Sequence, residues 1–373
     1  EIFGVTGSDG KTTTTTVVSE ILKKAGYKVW IGGNIGTPLL DKVGEMTPSD
    51  KVVLELSSFQ TLYMARSVDV AIVTNITPNH LDFHKDYAEY ISSKTNMFIY
   101  QDAMGKVVLN GTCDLTYEMK DIARGRITFF AQDRENTVRN GESPLIGRAY
   151  LDGSMLTYEY NGEKTAIIDE KDIFIPGKHN VENYLAAISA VWDYVTVDDI
   201  RTVAREFTGV QHRIEFIREI DGVQYYNSSI DTSPNRTMNT MKALASRGRH
   251  GVLIAGGADK KCVYDGLGDA ILEVCDRIVL YGSNAPFVKD ILAKEANGRN
   301  YTLVELESRE GDVYEFKETR EAVRSKFIEA LNEARNMAKP GELVILSSIG
   351  TSYDHFRHFE HRGDMFKELV KEM

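Results

Sequence analysis

Eight consecutive residues near the start of the chain, Thr6-Gly7-Ser8-Asp9-Gly10-Lys11-Thr12-Thr13, carry the sharpest chemical signal. Glycines let backbone N–H groups close around phosphate oxygens, and a helix beginning where the loop ends adds partial positive charge. In such a cradle Lys11 reaches the β- and γ-phosphates and the Thr12 hydroxyl holds Mg²⁺. The strict GxxxxGK[ST] spacing is not met, because Val5 stands where its first glycine belongs; what remains is the shorter Gly7-x-x-Gly10-Lys11-Thr12. A tight turn with an exposed lysine is the plainer alternative. The apolar run before the loop and the helical run after it favour nucleotide binding.

Other candidates lie downstream. Glu55 ends an apolar run, so its carboxylate is expected at the carboxyl edge of a sheet, where open α/β sheets bind ligands. With Thr12 and phosphate oxygens it suits a hard metal, although a solvated strand-end glutamate would look the same. His80 follows the apolar run 68–76 and belongs to the same edge, though a lone loop histidine is more often structural. Lys94 lies on a helical segment with Tyr87, Tyr90, Ile91 and Phe98; on the residues alone it reads as a solvated helix lysine. His355, His358 and His361 invite a metal reading. The third drifts off the helix face, however, and no Cys or carboxylate set completes a site, so they read as surface histidines.

These residues need a scaffold. The first part of the chain alternates short Val/Ile-rich runs (Ile2–Thr6, 28–31, 52–56, 68–76) with helical stretches, which implies βαβ units and a mostly parallel sheet covered on both faces. From about residue 125 to 169 the pattern changes, and 156–160 and 164–168 flank Asn161-Gly162, a two-residue hairpin signal. A small antiparallel insertion is expected there, followed by helices at 179–194 and 198–207. Near Gly209 the alternation restarts. Segments 216–220 and 223–226 flank Asp221-Gly222, then 252–255, 277–281, 302–306 and 343–346 read as strands. The longest helix, 319–338, stops before Pro340-Gly341. The fold class is α/β, with expected domains 1–209 and 210–373.

Composition sets the bounds. At about 100–200 residues per domain, 373 residues allow two or three cores. The 42% hydrophobic content excludes a mainly disordered chain, and no run approaches the ~18 apolar residues of a membrane span. With 44 Lys plus Arg against 55 Asp plus Glu, the net charge of −11 argues against a nucleic-acid partner. Cys113, Cys262 and Cys275 are odd in number and lack CxxC spacing, which favours a reducing compartment. The chain opens on Glu1 directly before a buried strand and reads as a piece of something longer.

The short phosphate loop resembles that of the Mur ligases and their folylpolyglutamate synthetase relatives. Further matches follow in order: Gly32-Gly33-Asn34-Ile35-Gly36, Glu55-Leu56-Ser57-Ser58-Phe59-Gln60, then Thr74-Asn75-Ile76-Thr77-Pro78-Asn79-His80-Leu81-Asp82, and Lys94. Gly177-Lys178-His179-Asn180 with Asn183, His212-Arg213, and Phe356-Arg357-His358-Phe359-Glu360-His361-Arg362-Gly363 complete the series. The last, with the Glu55–Gln60 run, resembles the branch of the family that adds D-glutamate.

The resemblance implies a cytoplasmic, monomeric, ATP- and Mg²⁺-dependent ligase of peptidoglycan precursor synthesis. It joins D-glutamate to UDP-N-acetylmuramoyl-L-alanine through an acyl phosphate, in a cleft between a central ATPase-type domain and a Rossmann-like C-terminal domain. The resemblance makes Lys11, Glu55, His80 and Lys94 the catalytic set and Thr12, Glu55, His80 and carbamylated Lys94 the metal ligands. Gly7 to Thr13, Asn180 and Arg213 hold ATP, Asn34, Ser58 and Gln60 the acceptor, and Thr232, Lys260, Ser352 and Phe359 D-glutamate. Lys261 could be confused with Lys260. In the family a domain gripping the uridine nucleotide precedes the phosphate loop; without it, acceptor affinity should suffer.

Two segments depart from the family pattern. Ser228 replaces the usual ribose-holding Asp in Asn227-Ser228-Ser229-Ile230-Asp231-Thr232, and Asp231 is the nearest substitute. Gly350 replaces a bulkier residue in Ser347-Ser348-Ile349-Gly350-Thr351-Ser352, which is expected to alter loop flexibility more than chemistry. Rival readings are another ligase of the superfamily, or a nucleotide-binding fragment that makes no amide.

Overall fold

The computed structural model describes residues 1–373 except 36–37, 78–83, 140–142, 144–145, 176, 259–261, 307–318 and 354, and only the backbone of 319–322. The chain forms two compact units, Glu1–Phe207 and Thr208–Met373.

Unit 1 contains strands β1 (Ile2–Thr6), β2 (Val29–Gly33), β3 (Lys51–Glu55), β4 (Val70–Val73), β5 (Lys106–Asn110), β6 (Arg126–Phe130), β7 (Gly147–Asp152), β8 (Met155–Tyr160) and β9 (Glu163–Asp169). Its helices are α1 (Lys11–Lys24), α2 (Ser58–Thr61), α3 (Tyr87–Thr95), α4 (Asp114–Glu118), α5 (Lys178–Val191) and α6 (Val197–Glu206). The strands make one sheet in the order β2-β3-β1-β4-β5-β6-β7-β8-β9. Because strands alternate their side chains, each buried strand feeds two cores. Val70 and Ile72 of β4 join Phe3, Val5 and Val53 beneath Val18 and Ile21 of α1 and Leu185 and Ile188 of α5. Ala71 and Val73 face the other way, packing with Val107, Phe129, Tyr90, Phe98 and Tyr117.

The order reverses at β1, which pairs in parallel with both β3 and β4. This switch point is where doubly wound sheets open a crevice at their carboxyl edge. The phosphate-loop sequence leaves β1 there. Strand β4 is shorter than the apolar run 68–76, because Thr74 and Asn75 leave the ladder to bond the loop described below. Past residue 125 the sheet is still parallel: α4 supplies the crossover from β5 to β6, and β6 also pairs parallel with β7. Only β7, β8 and β9 are antiparallel, and they extend the same sheet instead of forming a separate insertion. Their hairpin turns at Asn161 (φ 53°) and Gly162 (φ 77°), both left-handed as a two-residue turn requires.

Unit 2 contains β10 (Glu215–Ile220), β11 (Val223–Ser228), β12 (Gly251–Gly256), β13 (Cys275–Tyr281), β14 (Thr302–Glu305) and β15 (Leu343–Ser347). Helices α7 (Pro234–Ala245), α8 (Leu267–Val274), α9 (Ala285–Glu295), α10 (Thr319–Met337) and α11 (Phe359–Glu372) flank them. The sheet order is β10-β11-β15-β12-β13-β14, antiparallel only at β10–β11. Val252, Ile254 and Leu346 pack with Phe327 and Leu331 of α10 and Phe366 and Leu369 of α11. Leu253, Ala255 and Ile345 pack with Met241 of α7, Ile271 of α8 and Val288 of α9. Strand β15 inserts between β11 and β12, so the loops leaving β12 and β15 emerge side by side.

Candidate active site

The phosphate loop is held by the sequence that follows β4. Gly7 has φ 145°, and a Cβ there would come within 1.9 Å of Thr74 Oγ1, so only glycine fits. The Asn75 side-chain oxygen accepts from the Ser8 N–H (3.1 Å) and the Asp9 N–H (2.8 Å). The Ser8 hydroxyl donates to Thr77 O (3.1 Å) and lies 2.9 Å from the Tyr90 hydroxyl. Lys11 Nζ curls back onto Gly7 O (3.0 Å) and Ser8 O (2.8 Å). Gly10 is left-handed (φ 79°) and abuts Asn183 of α5; Thr12 and Thr13 fall in the first turn of α1. The amides of that turn have no intrahelical partner, and they are the donors a phosphate would meet.

Lys94 reaches the same loop from α3, and the solvated lysine read from the residues alone is not what the fold makes. Lys94 is 1% exposed. Its Nζ donates to Gly7 O (3.2 Å) and Thr6 Oγ1 (3.3 Å) and lies 4.7 Å from the Tyr90 ring centre. Burial, with Lys11 nearby, brings its pKa down to about 7. An ordinary lysine is protonated at neutral pH; this one is divided between ammonium and amine.

Glu55 closes β3 opposite Val5 and is buried. The Asn34 N–H donates to Glu55 O (2.7 Å), and Asn34 Nδ2 donates to Glu55 Oε1 (3.0 Å). Gly33 makes the approach feasible, with φ 94° and a Cβ that would lie 2.1 Å from Glu55 O. The other carboxylate oxygen, Oε2, is sealed from solvent without a hydrogen-bond partner among the described residues. Leaving an acceptor in that condition is costly, and an oxygen-seeking cation would satisfy it. Thr12 leaves the same sheet edge, so the donor set fits Mg²⁺. His80 lies outside the described residues.

Ser58 and Gln60 are bonded within the unit. Ser58 Oγ is 2.9 Å from His84 Nε2, and Gln60 closes a capping box with Ser57 at the start of α2. His84 stacks on Phe59 and meets the edge of Tyr90, tying α2 to the lysine-bearing α3. Sequence reasoning passed over Asn75, His84 and Tyr90 as site residues; Asn75 stood within a matched motif, whereas His84 and Tyr90 lie between that motif and Lys94, where no signal marked them. Asn183 Nδ2 donates to Asn180 Oδ1 across the first two turns of α5 (3.3 Å), and Asn183 Oδ1 accepts from Thr14 Oγ1 (3.2 Å).

In unit 2, His212 (φ 63°) and Ile214 (φ 45°) bracket Arg213 in the left-handed region, and Arg213 projects exposed from this strained turn. The His212 ring is buried, bonded to Asn227 Nδ2 (3.0 Å), and a Cβ at Gly363 would come 2.2 Å from its Nδ1. Burial, helped by Lys367, lowers its pKa. Arg362 is completely buried: Nε donates to Ser229 Oγ (2.9 Å), Nη2 to Ser229 O (2.9 Å), and Nη1 to Gly350 O (3.2 Å) and Gly256 O (3.4 Å). It thus staples the loops leaving β11, β12 and β15 to α11. Ser229 Oγ also donates to Phe359 O (2.7 Å), Ser352 is buried, and Thr232 is partly exposed. Lys260 and Lys261 lie outside the described residues.

Three expectations are corrected here. Asp231 does not stand in for the ribose-holding carboxylate: it is buried, accepts from Ser347 Oγ (2.7 Å), and its pKa is raised by burial. Ser228 is equally internal, accepting from the Ile214 N–H (3.2 Å). His355 is not a surface histidine but is buried beside Tyr281, while His358 caps α11. Gly350 serves space instead of flexibility, since a Cβ there would meet Asn284 Nδ2 at 2.6 Å. Cys113, Cys262 and Cys275 are free thiols, and among the described residues no helix is long and apolar enough to cross a membrane.

Residues 5–191 match the Mur ligase middle domain. The chain is 46% identical over 370 residues to the UDP-N-acetylmuramoylalanine–D-glutamate ligase of Acetivibrio thermocellus, covering 99% of this chain and 74% of that protein. It is 41% identical over 373 residues to the ligase of the same name from Ruminiclostridium cellulolyticum, covering 100% and 75%. Among solved structures, MurF from Acinetobacter baumannii superposes with a TM-score of 0.67 at 16% identity, covering 100% of this chain and 77% of that one, a likeness of fold. Phosphate loop, strand-end glutamate and buried lysine thus stand within a sequence nearly all of which aligns with the two D-glutamate ligases, and the chain belongs to the Mur ligase family.

Proposed function

We propose that the chain is an ATP-dependent, ADP-forming ligase that adds D-glutamate to UDP-N-acetylmuramoyl-L-alanine in peptidoglycan precursor synthesis. The observation that carries this reading is the meeting of Lys11 and buried Lys94 on one loop carbonyl, Gly7 O, in a chain whose full length matches D-glutamate ligases. Nucleotide binding alone requires one lysine at such a loop.

Unit 1 binds ATP through residues 7–13 and Asn180, and Arg213 contacts its phosphates. The acceptor carboxylate, guided by Asn34, Ser58 and Gln60, attacks the γ-phosphorus; ADP leaves and an acyl phosphate forms. The neutral D-glutamate amine, its carboxylates held in unit 2 by Lys260, Thr232, Ser352 and Phe359, then attacks the acyl carbon. A C–N bond forms, the C–O bond to phosphate breaks, and the amine proton is released. Lys11 screens the transferred charge throughout. Mg²⁺ held by Thr12, Glu55, His80 and Lys94 would supply further charge screening. For Lys94 to join that set its amine must add CO₂ and lose a proton to give a carbamate, and a pKa of about 7 leaves enough free amine for this. Neither Ser228 nor Asp231 offers the ribose a carboxylate. The protein works as a cytoplasmic monomer.

The test is ADP release with ATP, Mg²⁺ and UDP-N-acetylmuramoyl-L-alanine, with D-glutamate, with L-glutamate, or with neither. Release that requires D-glutamate is expected. Release indifferent to the amino acid would leave a nucleotide-hydrolysing fragment and overturn the reading.

A further inference from the structure

Among the described residues of unit 2, Asn284 is a buried polar side chain whose hydrogen-bonding capacity goes unused. It is 0% exposed, and neither its Oδ1 nor its Nδ2 has a hydrogen-bond partner among the described residues. Although it precedes α9, its side chain does not cap the helix. The surroundings are crowded with loop backbone. The Asn284 N–H donates to Gly257 O (3.0 Å), and Ala258 and Thr351 exchange two backbone bonds (2.8 and 3.2 Å). Gly350 presses its Cα toward the amide, as the 2.6 Å approach of a Cβ placed there shows. Two more features mark the same turn. Ile349 is left-handed at φ 63°, which is costly for a β-branched residue, and Ser348 Oγ is a second sealed, unbonded polar atom.

A leucine would fill the space of Asn284 without a desolvated amide, so the amide is held against stability. We propose that Asn284 is a positioning residue for the amino-acid pocket. The turn 348–352 has two settings: the strained one described above, and one in which its peptide groups bond the Asn284 amide, relaxing Ile349 and presenting Ser352 to the incoming amino acid. The inference rests on the D-glutamate reading of this pocket.

Asn284→Leu in the full chain is expected to raise the melting temperature while raising KM for D-glutamate about tenfold, the loss of roughly one hydrogen bond. Turnover number and KM for ATP should stay within about twofold of the unsubstituted chain. Asn284→Ala, which removes the amide without adding bulk, should raise the same KM, and it decides the matter if Asn284→Leu fails to fold. An unchanged KM for D-glutamate in the folded variants would overturn the inference, as would a fall in melting temperature with every kinetic constant lost together. If the unsubstituted chain released ADP regardless of D-glutamate, the functional reading would fail, and this inference with it. An unchanged KM beside a D-glutamate-dependent parent sinks the inference alone.

Discussion

Lys94 in unit 1 and Arg362 in unit 2 are both buried cations, and the two are treated in opposite ways. Arg362 in unit 2 spreads four hydrogen bonds over Ser229, Gly256 and Gly350. Lys94 in unit 1 has two long bonds, to a hydroxyl and a carbonyl, and a second lysine nearby. A guanidinium cannot shed its proton, so it has to be fully solvated by the fold; an ammonium left underbonded responds by becoming an amine. Arg362 therefore holds structure together, whereas Lys94 is held ready to change its chemical form.

The widest gap should appear in turnover. Lys94→Met is expected to lower D-glutamate-dependent ADP release on the order of 10²–10³-fold, the usual consequence of losing one charge-stabilising group in a closed site. Full activity in that variant would erase the contrast. The converse change, Arg362→Met, strands buried carbonyl oxygens and should lower unfolding stability by about 2–4 kcal/mol in denaturant titrations. Arg362→Lys should recover little of it, because one ammonium cannot replace the fork.

A pH series sharpens the comparison further. The folded pKa of Lys94 is about 7 against an ordinary 10.5, so between those values the unfolded chain binds the extra proton and stability rises with pH. The slope from this group is at most about 1.4 kcal/mol per pH unit. Lys94→Met should accordingly exceed the parent in stability most at and below neutral pH, with the gap closing toward pH 10. A gap constant across the series would show that Lys94 keeps its proton. The smallest expected effects are at the two hairpins. Gly162→Ala should cost about 1 kcal/mol for its left-handed backbone alone, and Gly222→Ala somewhat more, because its Cβ would also press Pro340 at 3.1 Å.

What the sequence revealed was local. Glycines, a lysine and a threonine between a strand and a helix announce a phosphate loop without reference to the rest of the chain, and Asn161-Gly162 and Asp221-Gly222 announce their turns through their own backbone preferences. Glu55 was readable as a strand-end carboxylate, but not as one with an oxygen sealed from water. The burial of Lys94 was not legible from its helix alone, because it depends on Tyr90 and a loop almost ninety positions away. The inward turn of Ser228, Asp231 and His355, and the fit of Gly350 against Asn284, are properties of three-dimensional neighbours for which no periodicity in the chain stands proxy.

The grip of Asn75 on Ser8 and Asp9 has a thermodynamic consequence. Because a side chain from the neighbouring strand end already fixes the first half of the phosphate loop, the loop's conformational entropy is surrendered when unit 1 folds, not when a phosphate arrives. An incoming triphosphate then meets a preorganised receptor, and its binding energy is left for the later, chemically harder task of aligning three substrates.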